Sequence, residues 1–158
     1  MKAGWSVAAL CALVVGVAGC GGGSGSGRLS SAQYKQELAK ISKQSDAAHG
    51  AVEQSAPNAK TVAQVQAVLR KFASAEDRIG AEVAKLKAPQ NAERANSELA
   101  RGEHDDAAEI RAMLPKLARF KSVQQAFAYL QQLGSTKGGR EEDEAIGQLK
   151  KLGYTSGS

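Results

Sequence analysis

The densest group of side chains able to do chemistry is the run EHDD at residues 103–106, followed by Glu109. Carboxylates and imidazoles are common metal ligands, and helical bundles build metal sites from Glu-x-x-His pairs on facing helices. His104 has no carboxylate three or four residues away on either side, so it lacks such a pair. Glu103 and Asp106 do share a helical face, and we expect them to be repelling carboxylates at a solvated surface.

The other histidine, His49, has Asp46 and Glu53 at helical spacing. These three residues would all lie on one helix, where they form a single set of ligands on one side of an ion. His49 and His104 are therefore the candidate metal ligands, but the sequence predicts neither a metal site nor a cofactor.

Glu76 occupies a position in the apolar pattern of the second helix. An unpaired buried carboxylate is costly, so we expect Ala75 to point inward and Glu76 to lie at the rim. If Glu76 points inward instead, Ser45 and Lys43 of the first helix are its expected partners.

Catalytic motifs are missing from the sequence: it contains no H-E-x-x-H, no G-x-S-x-G and no nucleophilic cysteine beyond the N-terminal region. We therefore expect no enzymatic activity. The net charge is +5, and the basic residues Lys116, Arg119 and Lys121 have only one aromatic residue, Phe120, among them. This pattern is typical of the end of a helix and not of a nucleic-acid surface.

The N-terminal residues have the pattern of an export signal. Lys2 precedes an apolar stretch at residues 7–17, which is shorter than the roughly 20 residues of a membrane-spanning helix. The stretch ends in VAGC at residues 17–20, an aliphatic and two small residues before a cysteine. This tetrapeptide resembles the lipobox of bacterial lipoproteins. Ordinary secretion with another cleavage site and a retained anchor helix are the alternatives.

The resemblance implies that residues 1–19 are cleaved and that Cys20 is lipidated, with a diacylglycerol thioether and usually an acyl chain such as palmitate. The protein would then be anchored to the cell membrane on its extracytoplasmic face. The glycine and serine run at 21–27 is typical of a flexible tether. We assign residues 20–29 to the lipidated cysteine and this linker.

Capping boxes of the form S/T-x-x-Q predict three helix starts, and prolines predict helix ends. Pro115 should kink the third helix. Acidic residues near the start of the fifth helix and lysines near its end fit the helix dipole. The predicted helices begin and end at Ser30 and Pro57, at Thr61 and Pro89, at about Asn91 and Phe120, at Ser122 and Gly134, and at 140 and 152, with a loop at 134–139.

These helices predict an all-α, up-down helical bundle over residues 30–154, built from three long helices and a short C-terminal helical hairpin. Residues 155–158 are expected to be a disordered tail. The alternative is an extended or oligomeric coiled coil, because the apolar positions also fit heptads. The linker, the capped start, the proline breaks and LKKLGY at 149–154 resemble small helical lipoproteins. That resemblance implies no activity and no site residues.

The sequence therefore favours a membrane-anchored envelope lipoprotein that acts as a non-enzymatic interaction or structural module, with another envelope protein as its potential partner and no nucleic acid. The alternative function is an extracytoplasmic bundle that binds or senses a small ligand or metal. The two functions differ by the presence of a cavity, since a ligand site needs about 300 Å³ or more. The small side chains of the core favour the first.

Overall fold

The structure, a computed structural model, describes residues 27–155, and within that range all regular secondary structure is helical. The all-α prediction is confirmed. The predicted signal peptide, Cys20 and most of the linker lie outside the described residues. Over 27–155, no helix has the length and apolarity needed to cross a bilayer. The helices are α1 (Ser31–Ser55), α2 (Val62–Lys85), α3 (Glu93–Leu117), α4 (Val123–Leu133) and α5 (Lys137–Lys151), with a 3₁₀ turn at Gln90–Ala92 before α3.

Side-chain caps fix three helix starts where the sequence predicts them. The hydroxyls of Ser30, Thr61 and Ser122 each accept a hydrogen bond from the backbone N–H three residues further on. At Ser30 and Thr61 the glutamine side chain also accepts from the cap residue's backbone N–H, which completes the capping box. Because both partners of each cap are neighbours in sequence, these starts follow from local chemistry alone.

The fifth helix begins three residues earlier than predicted. Thr136 is its N-cap and accepts a hydrogen bond from the Gly139 N–H at 3.0 Å, so α5 starts at Lys137 and not at 140. Two glycines in the first turn lower helix propensity, which is why the sequence pattern favours a loop there. The packing of Gly138 against α3, described below, offsets that preference.

The third helix is shorter than predicted at both ends. The 3₁₀ turn takes up its beginning, and α3 ends at Leu117, two residues after Pro115. Proline lacks the backbone N–H that would continue the hydrogen-bond ladder. Near this end, Gln66 of α2 donates from Nε2 to the Leu114 carbonyl at 2.7 Å, which joins the two helices.

Helix α3 is central to the molecule, with α2 and α5 packed on it and α1 packed on α2. The Tyr34 hydroxyl of α1 donates to Asn96 Oδ1 of α3 at 2.9 Å, and Asn96 Nδ2 donates to the Val83 carbonyl of α2 at 3.1 Å. The start of α1 therefore lies beside the end of α2 and the start of α3. The main core comprises Tyr34, Leu38, Ile41, Ile79, Val83, Ala88, Ala92, Ala95, Leu99, Ala100, Ala145, Leu149 and Tyr154.

The chain is tied to this end of the bundle before α1 begins. The Leu29 N–H donates to the Lys87 carbonyl at 2.8 Å, and Arg28 donates to the Ala88 carbonyl at 3.0 Å. Arg28 also forms an ion pair with Glu93 at 2.8 Å. These two residues, which the sequence places at the end of the linker, pack on the connection between α2 and α3.

Candidate metal centre

Three glutamates from three helices meet inside the bundle. Glu76 of α2, Glu103 of α3 and Glu142 of α5 each place one carboxylate oxygen within 4.8 Å of the others. We call these three residues the carboxylate cluster. It is the one group of three or more potential metal ligands among residues 27–155.

Close helix contacts at glycines bring the three glutamates together. At Gly80, one turn after Glu76, a Cβ atom would lie 3.0 Å from the Ala100 carbonyl and 3.1 Å from Glu103 Cβ. At Gly102, beside Glu103, a Cβ atom would lie 2.8 Å from the backbone nitrogen of Glu142. Both glycines thus allow a neighbouring helix to approach α3 more closely than a side chain permits.

A third glycine fixes the start of α5 on α3. A Cβ atom on Gly138 would overlap the backbone of Asp105 and Asp106. Gly138 lies one turn before Glu142, so this contact sets how far Glu142 reaches toward α3. The positions of the three carboxylates therefore depend on the backbone packing of α2 and α5 against α3.

Two of the three glutamates are buried, Glu142 is half-buried, and the cluster lacks compensating groups. Glu76 is 0 % exposed and Glu103 is 2 % exposed. Both oxygens of Glu76 and Oε2 of Glu103 have no hydrogen-bond partner. In the described part of the chain, no lysine or arginine forms an ion pair with any of the three glutamates. A buried carboxylate is costly without a cation or a proton, so the cluster requires one or the other.

Burial raises the pKa values of three acids in and beside the cluster. Burial, followed by the proximity of Glu76 and Glu142, raises the pKa of Glu103 well above its usual range. Burial, followed by repulsion from Glu76 and Asp106, raises the pKa of Glu142 to about 7. Burial also raises the pKa of Asp106, although a hydrogen bond from the Thr136 hydroxyl opposes that rise. Each of these shifts favours the neutral acid, because burial disfavours the charged carboxylate and the neighbouring acids repel it.

His49 and Asp106 lie at the edge of the cluster. His49 Nε2 of α1 is 4.0 Å from Glu76 Oε1, and its ring packs edge-on against Phe72 with centroids 4.9 Å apart. Asp106, one turn after Glu103 on α3, is 8 % exposed and accepts the Thr136 hydroxyl. His49, one of the two histidines identified in the sequence, is therefore beside the acids, but the neighbours expected for it, Asp46 and Glu53, are not among them.

His104, the other candidate, lies outside the cluster. Its Nδ1 is 3.1 Å from Asp77 Oδ1, and Asp77 is also paired with Arg111. A hydrogen bond from Arg111 lowers the pKa of Asp77, and a hydrogen bond from His104 lowers it further. This exposed trio satisfies its own charges and has no unpaired ligand to offer an ion.

Two expectations about the acids were wrong. Glu76 does not lie at the rim: it is fully buried, and neither Ser45 nor Lys43 is its hydrogen-bond partner. Glu103 and Asp106 are not at a solvated surface either. The general cost of burying a carboxylate predicts exposure, but α2 and α5 both cover this face of α3 and leave these side chains inside.

The sequence carried a signal for the acids of α3. Leu99, Glu103, Asp106 and Ile110 follow one another in steps of four, three and four residues, the spacing of a single helix face. Both flanking apolar residues are buried, which places the two acids between them inward as well. Glu142 carries a similar signal, because Ala145 and Leu149 follow it in steps of three and four residues on one helix face and both are buried.

The geometry fits a small divalent cation. Ligands at about 2.0–2.2 Å from an ion lie about 3–4 Å apart, so cluster oxygens within 4.8 Å need only a modest contraction to bind one. His49 at 4.0 Å from Glu76 could supply a nitrogen ligand after a similar shift. Such an ion would stabilise the carboxylate charges and satisfy the unpaired oxygens together.

Comparison with protein-family models, with curated proteins and with solved structures finds no match to this chain.

Proposed function

We propose that this protein is a membrane-anchored lipoprotein of the bacterial envelope whose helical bundle binds a divalent transition-metal ion. Glu76, Glu103 and Glu142 would hold the ion, with His49 and Asp106 beside it. The observation that carries this proposal is the state of Glu76, which is fully buried, faces two other carboxylates and has no hydrogen-bond partner for either oxygen. The metal-binding alternative therefore moves ahead of the interaction module that the sequence alone favours.

The mixed ligand set limits the choice of ion. Carboxylate oxygens suit Mg²⁺, Ca²⁺ and Mn²⁺, whereas imidazole nitrogen suits Zn²⁺, Fe²⁺ and their neighbours. Three carboxylates with His49 favour Mn²⁺, Fe²⁺ or Zn²⁺. We propose binding without turnover, because His49 would be a ligand and His104 is held by Asp77. The chain has no third histidine for acid–base work.

In this proposal Cys20 carries the lipid and residues 21–27 tether the domain outside the cell membrane. The support is the lipobox-like tetrapeptide at 17–20 and the glycine-rich run after it. We also propose that the domain is an up-down bundle of three long helices with a C-terminal helical hairpin. The ion would join α2, α3 and α5 directly and α1 through His49.

Metal titration of the full-length chain in detergent tests the proposal. After removal of metals with a chelator, Zn²⁺ or Mn²⁺ should bind at one ion per chain and raise the melting temperature by several degrees. An ion present at 100 times its dissociation constant stabilises the folded state by about 2.7 kcal/mol. Ca²⁺ and Mg²⁺ should have a much smaller effect at the same concentration.

Glu76→Gln supplies the decisive variant, with Glu144→Gln, an exposed acid of α5, as its control. Glu76→Gln should abolish the metal-induced shift and should melt higher than the wild type without metal, because it removes a buried carboxyl group whose oxygens have no hydrogen-bond partner. Glu144→Gln should keep the full shift. If no ion binds stoichiometrically, or if Glu76→Gln binds it as well as the wild type, the proposal is wrong and the interaction module becomes the leading hypothesis.

A further inference from the structure

A pocket of about 440 Å³ adjoins the carboxylate cluster. Its volume falls within the roughly 300–1,000 Å³ typical of small-molecule sites. The polar lining includes His49, Asp106, Glu142, Asp143 and Thr136, and the apolar lining consists of Val52, Leu69, Phe72, Ile110, Met113, Leu130 and Leu133.

The apolar part of the pocket leads away from the cluster along two helices. On α3, Ile110 and Met113 follow Asp106 at intervals of four and three residues, so they continue the same face. On α2, Leu69 and Phe72 precede Glu76 on one face in the same way. One end of the pocket is therefore acidic and the remainder is apolar.

The pocket meets the cluster at Glu142. Glu142, His49 and Asp106 line it, whereas the buried Glu76 and Glu103 do not. An ion in the cluster would have these two glutamates behind it and the pocket in front. Any coordination position left open by the protein would face the pocket.

We infer that this pocket binds an organic ligand whose oxygen-donor head coordinates the ion and whose apolar body lies against Leu69, Phe72, Ile110, Met113 and Leu130. This inference rests on the proposed metal site. The charge of the pocket restricts the head group: the lining contains no lysine or arginine and already has three acids, Asp106, Glu142 and Asp143. A phosphate or other multiply charged anion therefore fits poorly, and a neutral or singly charged oxygen donor fits well.

Two hydroxamates that share a head group provide the test. Acetohydroxamate carries a methyl group and benzohydroxamate carries a phenyl ring, which can reach the apolar lining. With the full-length chain in detergent, loaded with Zn²⁺, calorimetry should show benzohydroxamate binding about tenfold or more tightly than acetohydroxamate, because the ring buries more apolar surface. Neither compound should bind the chelator-treated protein.

Leu130→Ala tests the apolar lining without touching the acids. It should weaken benzohydroxamate binding severalfold, leave acetohydroxamate binding unchanged and keep the zinc stoichiometry. Leu152→Ala, at an exposed leucine outside the pocket, is the matched control and should change neither affinity.

The outcomes separate this inference from the proposed function. If Zn²⁺ binds but the two hydroxamates bind equally, or not at all, the organic ligand is ruled out and the metal site stands. If benzohydroxamate binds equally well without metal, coordination through the ion is wrong. If Zn²⁺ itself does not bind, the proposed function fails and this inference fails with it.

Discussion

Glu76 shows how strongly one residue can constrain the state of a protein. Its two oxygens lie inside the bundle beside Glu103 and Glu142, and no donor reaches them. The group can be stabilised there by a proton shared within the cluster or by a bound cation. Protons and metal ions should therefore compete for this site, and pH should affect the metal-free and metal-loaded proteins differently.

We expect the free energy of unfolding of the metal-free protein to fall as pH rises from 5 to 8. The folded-state pKa of Glu142 is about 7, above the value near 4.5 of an ordinary glutamate. The folded state thus holds a proton that the unfolded state has released. The resulting stabilisation is complete below the unfolded pKa and is lost as pH rises through the folded pKa.

Urea unfolding of the full-length chain, followed by far-UV circular dichroism at several pH values, measures this effect. Glu142→Gln should make the fall shallower because the amide does not titrate, whereas Glu144→Gln should leave it unchanged. Saturating Zn²⁺ should remove the fall, since the ion replaces the proton. A metal-free protein that becomes more stable between pH 5 and 8 would contradict the assignment of raised pKa values to these acids.

At the scale of the helices, the contact between α3 and α5 depends on glycine. We expect Gly138→Ala to destabilise the protein by about 1–3 kcal/mol, the range typical of an overpacked contact, because the new methyl group would overlap the backbone of Asp105 and Asp106. The measurement is urea unfolding of the metal-free chain at fixed pH.

Gly147→Ala on the same helix is the control, since a Cβ atom there meets nothing within 4 Å. Alanine is the better helix former, so this variant should be more stable by up to about 1 kcal/mol. Opposite effects from the same substitution on one helix would isolate packing from helix propensity. Equal effects at the two positions would show that α5 does not approach α3 as closely as described.

Features that depend on neighbouring residues could be predicted from the sequence, whereas features that depend on contacts between helices could not. The starts at Ser30, Thr61 and Ser122 follow from residues three apart, so the sequence alone predicts them. The carboxylate cluster depends on contacts between helices far apart in the chain. The spacing around Glu103 and Asp106 indicates the face of α3 on which they lie, but nothing in the sequence indicates the close helix contacts at Gly102 and Gly138 that bring the glutamates together.

The start of α5 depends both on a local cap and on contacts with a helix far away in the sequence. Thr136 is a cap of the ordinary kind, but the glycines after it favour a loop when the sequence is taken alone. The packing of Gly138 on the α3 backbone, with hydrogen bonds from Thr136 to Asp106 and from the Lys137 N–H to Glu109, holds the helix start there. The difference of three residues leaves the inward face unchanged, since Glu142, Ala145 and Leu149 share one face of the helix for either start.

At the scale of the whole molecule, the proposed anchor gives a direct prediction. Cys20→Ala should leave the precursor uncut in cells, because the lipid-bearing cysteine is required by the processing that the lipobox resemblance implies. Immunoblots of membrane and soluble fractions would measure size and location. A normal-sized, soluble product from this variant would argue against lipidation, whereas Ser24→Ala in the linker should behave as the wild type.

The tie between Arg28 and the start of α3 also fixes the end of the domain at which the flexible linker joins it. Glu93, which pairs with Arg28, and Glu103 are ten residues apart on one helix, or about 15 Å along its axis. With a lipid on Cys20, the bundle would be joined to the membrane through its Arg28 end. The carboxylate cluster, and the rim of its pocket at 134–136, would then lie away from the end that carries the tether. A solute from the aqueous side would then reach the acids without passing the end of the domain that is joined to the lipid.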